Sequence, residues 1–323
     1  MNSRSAALNN TLVIDFAGYV GAHLMPQLVP QLMPRLVATG RRVTVLGRSA
    51  SPQYPLPVGV NYVAGDFAQH ELICRLLDAH QEIIHLAYIT VSDTTVTNPL
   101  ADLLQNLAPS IQLFTEVANR GGKLILISSG GAVYSEAVEL PIRETHPVRP
   151  ISGYGVTKLT LENYAHLYAA THALKFICVR PSNVYGVGQR PFDGQGFIAT
   201  AIASALRGTP IKIFGLHAIR DYLYISDLAT GIVSALERGH LSKTYNIGSG
   251  VGLSNLDVIA TITPLMREIG CEVQVENLPE RGFDIKANVL DSTKLQTDTG
   301  WSAQMEFTAG IIATRDWLKE QQI

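Results

Sequence analysis

The sequence predicts an α/β protein with a Rossmann-type, doubly wound parallel sheet and a smaller mixed α/β substrate domain. Short apolar runs rich in β-branched residues alternate with helical patterns through the first half of the chain. A glycine-containing turn follows the first run, and no long linker divides the 323 residues. Alternating strands and helices favour a parallel sheet covered by helices on both faces.

The elements of the first half can be placed in order along the chain. Helices are expected up to residue 39 and over 110–119 and 154–169. In the first helix, Pro30 and Pro34 each remove a backbone donor and crowd the preceding turn, so we expect a kink or a late start. The expected strands are 11–14, 42–46, 60–63, 83–87, 123–127 and 176–179.

The second half is more mixed. We expect helices over 197–207, 227–237, 256–269 and 308–321, and strands over 211–214, 244–247 and 272–275. Residues 11–181 with about 220–252 are expected to form the dinucleotide-binding domain, and 182–219 with 253–323 the substrate domain. A ligand would then lie in the crevice between the two parts.

Composition excludes several classes of protein. The formal net charge is −2 with no clustered basic face, which argues against nucleic-acid binding. No apolar run reaches about 18 residues, and residues 1–10 lack an apolar signal core, so we expect a cytoplasmic protein without a membrane segment. Cys74, Cys178 and Cys271 form no CxxC pair, so no metal site is expected from their spacing.

The turn after the first strand has the composition of a pyrophosphate-binding loop. It reads DFAGYVG from Asp15 to Gly21. Gly18, Tyr19, Val20 and Gly21 would bring the amides of a helix N-terminus to the phosphates of a dinucleotide. Asp15 replaces the first glycine of that motif, and an ordinary strand-to-helix turn is the alternative.

The end of the second strand bears on which dinucleotide would bind. No acidic residue is present there to accept the ribose hydroxyls of NAD. Gly47 and Arg48 instead leave room for a 2′-phosphate and offer it a cation, which favours NADP. A solvated surface arginine is the alternative interpretation.

Tyr154 and Lys158 are the candidate catalytic pair. Residues four apart on a helix share a face, so the phenol and the ammonium would project together. A free tyrosine has a pKa of about 10, and a nearby ammonium and a nicotinamide cation would favour its phenolate. Tyr154 could then take a proton from a hydroxyl as hydride leaves. Ser129, at a strand end, could bind the reacting oxygen, although it could equally cap a turn.

Ten short segments, in this order, carry a resemblance that extends over about residues 11–318. They are AGYVG at 17–21, GDF at 65–67, HLA at 85–87, SSGGAVY at 128–134, YGVTK at 154–158, RPSNVYGVGQ at 180–189, RDYLYISDLA at 220–229, YNIGSG at 245–250, ERGFD at 280–284 and LDSTK at 290–294. The set resembles the extended short-chain dehydrogenase/reductases, in the nucleotide-sugar epimerase/dehydratase branch typified by UDP-glucose 4-epimerase.

The resemblance implies roles for matching residues. Tyr154 would be the base, and Lys158 would hold the ribose of NAD or NADP. Further cofactor contacts would come from Asp66, Phe67, Leu86, Ala87 and Pro181. Contacts with a nucleotide-diphosphate sugar would come from Ser129, Asn183, Arg220 and Arg281. The two arginines would bind the phosphates, because a guanidinium fork suits paired phosphate oxygens.

The chain departs from the family pattern in four places. Asp15 stands at the first glycine, the first helix is about eight residues longer than usual, and the acidic residue after the second strand is missing. The family's usual Ser or Thr, four residues before Tyr134, aligns with Gly130, so Ser129 must substitute or the hydroxyl is absent.

The resemblance leaves more than one reaction open. Gly131 and Ala132 stand where the dehydratases carry an Asp-Glu pair, so dehydration is not expected. An epimerase with tightly bound cofactor is favoured over a reductase that exchanges NADP, and a non-catalytic dinucleotide sensor is a further alternative. The resemblance also implies a homodimer formed through two long helices, one of them 154–169.

Overall fold

A seven-stranded parallel sheet forms the centre of the computed structural model, which describes residues 9–14, 25–88, 98–192, 196–279 and 285–322. The spatial order of its strands is β10-β6-β5-β4-β1-β2-β3. These strands are β1 (Asn10–Ile14), β2 (Arg42–Gly47), β3 (Val60–Ala64), β4 (Glu82–His85), β5 (Lys123–Ile127), β6 (Lys175–Pro181) and β10 (Lys243–Ile247). The order reverses between β1 and β4, which is the switch point where doubly wound sheets bind ligands at the carboxyl ends of their strands. The predicted fold class is therefore confirmed.

Helices cover both faces of this sheet. Within the described residues they are α1 (Met25–Ala38), α2 (His70–Ala79), α3 (Pro99–Asp102), a π-helical segment (Leu103–Leu107), α4 (Ala108–Asn119), α5 (Gly130–Val133), α6 (Gly153–His172), α7 (Phe197–Leu206), α8 (Ile225–Arg238), α9 (Asn255–Arg267), α10 (Thr293–Thr299) and α11 (Phe307–Glu320). The sequence interpretation did not place α2 or α10.

Alternating side chains of the central strands fill two separate cores. In β1, Val13 faces the core beneath α1 and α8, whereas Leu12 and Ile14 face the core beneath α2, α4 and α6. This period of two follows from the pleat of a strand. All three side chains are fully buried, so the sheet is a rigid platform for the residues at its edge.

The described part of the first helix begins at Met25 and continues through both internal prolines. Pro30 is half-buried and Pro34 is exposed, while Leu32 and Met33 are fully buried. The prolines therefore occupy the outer side of the helix, where water can satisfy the backbone groups that they leave unpaired. Residues 15–24, which include the predicted pyrophosphate loop, lie outside the described residues.

Two small sheets complete the second half. One contains β7 (Asn183–Tyr185), β9 (Ile219–Tyr224), β11 (Gly252–Ser254) and β13 (Ala287–Asn288), and the other pairs β8 (Ile211–Phe214) with β12 (Val275–Leu278). The prediction of a strand over 272–275 was wrong by three residues. Val275 pairs with Ile211 and Leu278 with Phe214, so the partner strand sets the register, which the local pattern could not reveal.

No helix in the described part of the chain is both long enough and apolar enough to cross a lipid bilayer.

Candidate active site

The candidate site is built where β5 ends and α6 begins. Ser152 caps α6, because its hydroxyl accepts a hydrogen bond of 3.1 Å from the amide of Gly155. A Cβ at Gly155 would collide with the carbonyl oxygen of Ala132 in α5, so glycine permits the close approach of the two helices. This contact sets the first two turns of α6, which carry Tyr154 and Lys158, against the end of β5.

Lys158 is almost completely buried, with 3 % of its surface exposed. Its Nζ donates a hydrogen bond of 2.9 Å to the carbonyl oxygen of Ile127, the last residue of β5. The ammonium also lies 4.3 Å from the ring centroid of Tyr88 and 5.8 Å from that of Tyr154. Burial lowers the pKa of Lys158 to about 8, so the side chain is mostly charged at neutral pH.

Tyr154 lies beside this ammonium, and burial opposes the ionisation of its phenol. Burial raises the pKa of Tyr154 to about 12, and a hydrogen bond with Ser129 lowers it only in part. The expectation that Lys158 and a nicotinamide cation together favour the phenolate stays a prediction; in the protein alone the cost of burying a phenolate opposes it. A further positive charge at the site is needed before Tyr154 can act as a base at neutral pH.

The two adjacent serines after β5 have different partners. Ser129 contacts the phenol of Tyr154, whereas the buried Ser128 donates its hydroxyl proton to Glu162. A Cβ at Gly130 would lie 2.5 Å from Cδ1 of Leu290, so a larger residue there would displace Leu290. Ser129 is therefore the residue of this turn that brings a hydroxyl to Tyr154.

A buried ion pair lies behind the serines. Nη2 of Arg180 on β6 is 2.5 Å from Oε2 of Glu162 on α6. Arg180 also donates from Nη1 to the hydroxyl of Tyr134 at 2.6 Å, and Tyr134 in turn donates to Asn246 at 2.9 Å. Because all four side chains are buried, the network fixes α6 to β6 and β10 and orients Ser128. Sequence reasoning missed it, although charged residues inside otherwise apolar elements were a visible signal.

A second buried network lies on the other side of Lys158. Tyr88 donates its hydroxyl to Asp102 at 2.9 Å, and Thr157 donates to the same carboxylate. The ring of Tyr88 meets that of Tyr154 edge to face, with 4.9 Å between centroids. The ammonium of Lys158 thus lies over the face of the Tyr88 ring, while Asp102 binds the hydroxyl of the same ring. The HLA motif ends one residue before Tyr88, and the partner Asp102 lies in a different segment, so the motif indicates neither residue.

Arg48 and Asp66 face each other at the carboxyl ends of β2 and β3. Nη1 of Arg48 is 3.7 Å from Oδ2 of Asp66, and both side chains are about one-third exposed. Phe67 is buried, and its ring centroid lies 5.4 Å from that of His85. Burial, with a smaller effect of Lys158, lowers the pKa of His85 to about 3, so its imidazole is neutral.

Comparison with known proteins agrees with this geometry. Residues 11–248 match the NAD dependent epimerase/dehydratase family. The chain belongs to this family, and the resemblance drawn from its motifs is confirmed. It is 30% identical to a UDP-glucose 4-epimerase of Azospirillum brasilense, over 97% of this chain and 92% of that protein.

Two solved structures extend the comparison. The UDP-glucose 4-epimerase of Thermotoga maritima, solved with UDP-glucose, has a TM-score of 0.86 and 28% identity, over 97% of this chain and 100% of that one. The UDP-glucose 4-epimerase of Thermus thermophilus, in complex with NAD, has a TM-score of 0.82 and 29% identity, over 96% of this chain and 99% of that one.

The hydrogen-bond donors of the site fit the ribose beside the nicotinamide of NAD. An ammonium has three N–H donors, and within the described residues Nζ of Lys158 uses one of them, on Ile127. A buried cation with donors to spare suits a ligand that presents hydroxyl groups. The amide of Leu86 donates to the carbonyl of Ile14 at 3.0 Å, which places Leu86 and Ala87 at the switch point between β1 and β4.

The structure describes three of the other predicted site residues. Pro181 ends β6, and Asn183 begins β7 close to α5, since a Cβ at Gly131 would lie 3.0 Å from its Oδ1. Arg220 is half-buried on β9, where its Nη1 donates to the carbonyl of Ile219 at 2.9 Å. The remaining predicted residues, Gly18, Tyr19, Val20, Gly21 and Arg281, lie outside the described residues.

Proposed function

We propose that the chain is an NAD-dependent nucleotide-sugar 4-epimerase of the UDP-hexose type. The observation that carries the proposal is the arrangement of Tyr154, Lys158 and Ser129 at the carboxyl end of a parallel sheet, beside its switch point. Relatives that align over nearly the whole chain are UDP-glucose 4-epimerases, and one of them was solved with NAD.

The proposed mechanism assigns proton transfer to the protein. NAD, when bound, supplies the acceptor for a hydride from C4 of the sugar and later its return. Tyr154 takes the proton of the C4 hydroxyl as the hydride leaves C4, and it returns that proton to O4 when the turned keto-sugar receives the hydride on its opposite face. The cations at the site, Lys158 and the nicotinamide, offset the burial that raises the pKa of Tyr154 to about 12. Ser129 orients the sugar oxygen and shares its proton with Tyr154.

Contacts with the rest of the substrate stay predictions from the family pattern. Asn183, Arg220 and Arg281 are proposed to bind the diphosphate, which requires fixed cations and amide donors. The division into a dinucleotide-binding domain (11–181 with about 220–252) and a sugar-binding domain also stays a prediction. A cytoplasmic setting is proposed on the same grounds.

NAD is proposed as the resident cofactor in preference to NADP. Arg48, which suggested a 2′-phosphate site, faces the carboxylate of Asp66. That carboxylate would repel a phosphate at the same position and could instead accept a hydrogen bond from the adenine or its ribose. This favours NAD over the NADP that the alternative reductase would use.

A homodimer is proposed through α3, the π-helical segment and α6. Leu100 in α3 and Leu104 in the π-helical segment are exposed, and so are Val156 and Leu167 in α6. Exposed apolar side chains on neighbouring helices are typical of subunit contacts. Light scattering should show a dimer that Leu104→Glu with Leu167→Glu converts to a monomer, while Leu241→Glu, at another exposed leucine, leaves it unchanged. A monomeric wild type contradicts the proposal.

The proposal is tested by the conversion of UDP-galactose to UDP-glucose. We expect turnover by the wild type, loss of at least about 10²-fold in Tyr154→Phe and a smaller loss in Ser129→Ala, as for groups that act in proton transfer. Tyr164→Phe, on the same helix, is the matched control and should keep normal activity. NAD binding should survive in Tyr154→Phe. Binding of NAD without turnover of UDP-, GDP- or dTDP-sugars by the wild type would support a dinucleotide sensor instead.

A further inference from the structure

Three side chains that commonly bind metals meet on the outer surface of α2 and α4. His70 and Cys74 lie one turn apart on α2, and Glu116 projects from α4. Nε2 of His70 is 3.1 Å from Oε1 of Glu116 and 3.6 Å from Sγ of Cys74. One ligand atom from each residue lies within 4.8 Å of the others. None of the three belongs to the candidate active site.

Two of the three distances between the ligand atoms are close to those of a tetrahedral zinc site. Zinc binds imidazole nitrogen at about 2.0–2.1 Å, carboxylate oxygen at about 2.0–2.2 Å and thiolate sulfur at about 2.3 Å. At tetrahedral angles these lengths place nitrogen about 3.6 Å from sulfur and about 3.4 Å from oxygen. The distance of 3.6 Å between His70 and Cys74 matches, and the distance of 3.1 Å between His70 and Glu116 is slightly shorter, a difference that side-chain rotation can remove. The spacing of His70 and Cys74 lets one helix supply two ligands on one face.

The surrounding charges suit a divalent cation. Arg120 binds the second carboxylate oxygen of Glu116, and its Nε lies 2.8 Å from Asp78. Arg120 thus orients the carboxylate so that Oε1 points to the side of His70, as the partners of metal ligands usually do. Loss of the Cys74 thiol proton on binding would give two net negative charges from Glu116, Asp78, Arg120 and the thiolate, opposite a dication.

We propose that His70, Cys74 and Glu116 bind a zinc-type divalent transition metal, with water as the fourth ligand. Binding forms three metal–ligand bonds, and the thiol proton is released to the buffer. This departs from the expectation of no metal site, which considered only the spacing of the cysteines. The third ligand comes from another helix, 46 residues from His70, so no local motif could indicate it.

The site would connect the two helices that flank the cofactor region. α2 follows Asp66 and Phe67 directly, and α4 packs against α6, which carries Tyr154 and Lys158. A metal that ties α2 to α4 would therefore stabilise the helical layer on this face of the sheet. A structural role of this kind requires no metal in the chemical step.

Titration of the full-length, untagged protein with Co²⁺ tests the proposal. A thiolate-bound tetrahedral cobalt gives a sulfur-to-metal charge-transfer band and strong visible absorption. We expect both bands at one equivalent in the wild type and in the control Cys271→Ser, whose thiol lies elsewhere. Cys74→Ser should lose the charge-transfer band, and His70→Ala should bind at least about tenfold more weakly. Zn²⁺ should displace the cobalt.

Thermal unfolding provides a second readout that does not depend on the bands. Zn²⁺ should raise the Tm of the wild type and of Cys271→Ser but not that of Cys74→Ser, whose Tm without metal should equal that of the wild type. Absence of the bands in the wild type, or the same bands and the same Tm increase in Cys74→Ser, would overturn the proposal. Either result leaves the proposed epimerase activity untouched.

Discussion

The buried positive charge of Lys158 should lower the free energy of unfolding of the protein. Burial lowers the pKa of its ammonium from 10.5 to about 8. At about 1.4 kcal/mol per pKa unit, the folded state holds the charged form at a cost of about 3 kcal/mol at pH 7. Lys158→Met removes the charge in a side chain of similar length but leaves the carbonyl of Ile127 without its donor, which costs about 1 kcal/mol. The variant should therefore be inactive and about 2 kcal/mol more stable.

The pH dependence of this gain identifies its cause. Because the pKa is lower in the folded than in the unfolded chain, the cost is fully present below about pH 8 and disappears as pH rises towards 10.5. Urea unfolding should show the advantage of Lys158→Met falling below about 1 kcal/mol at pH 9.5. Lys319→Met, at an exposed position, should show no such trend. Lower stability of Lys158→Met at pH 7, or an advantage independent of pH, would refute the reasoning.

Two further variants test the buried networks. The negative charge of Asp102 raises the pKa of Lys158, which burial lowers, and adds to the burial that raises the pKa of Tyr154. Asp102→Asn should therefore move both limbs of the pH–rate profile to lower pH. An unshifted profile contradicts this prediction. Glu162→Gln leaves the guanidinium of Arg180 buried without its counter-ion and should lower the free energy of unfolding by about 3–5 kcal/mol, measured in urea; a loss below about 1 kcal/mol contradicts the role assigned to the pair.

The sheet could be predicted from the sequence because its strands are local patterns. β1 and β5 are short, continuous apolar runs whose bounds agree with expectation to within one residue. The shift of β12 and the continuation of α1 through Pro30 and Pro34 depend instead on a partner strand and on which side of the helix faces water. Neither is encoded in the segment itself.

Only part of the candidate site could be predicted from the sequence, because the rest of it comes from segments that are distant along the chain. Tyr154 and Lys158 lie in one motif, so their shared face follows from helix geometry alone. The residues that set their acidity come from distant segments. Asp102 reaches them through Tyr88, and Leu290 occupies the space that a side chain at Gly130 would need. Burial raises the pKa of Tyr154 in the protein alone, and burial cannot be read from a motif.

The most direct test of the central claim is to incubate the purified wild type with UDP-galactose in D₂O without added cofactor and to examine the product by NMR. We expect UDP-glucose that carries protium at C4, because the hydride leaves the sugar and returns to it inside one active site. Tyr154→Phe should form none. Deuterium at C4, or conversion that requires added NADPH, would contradict an epimerase in which Tyr154 moves the proton and a bound NAD keeps the hydride.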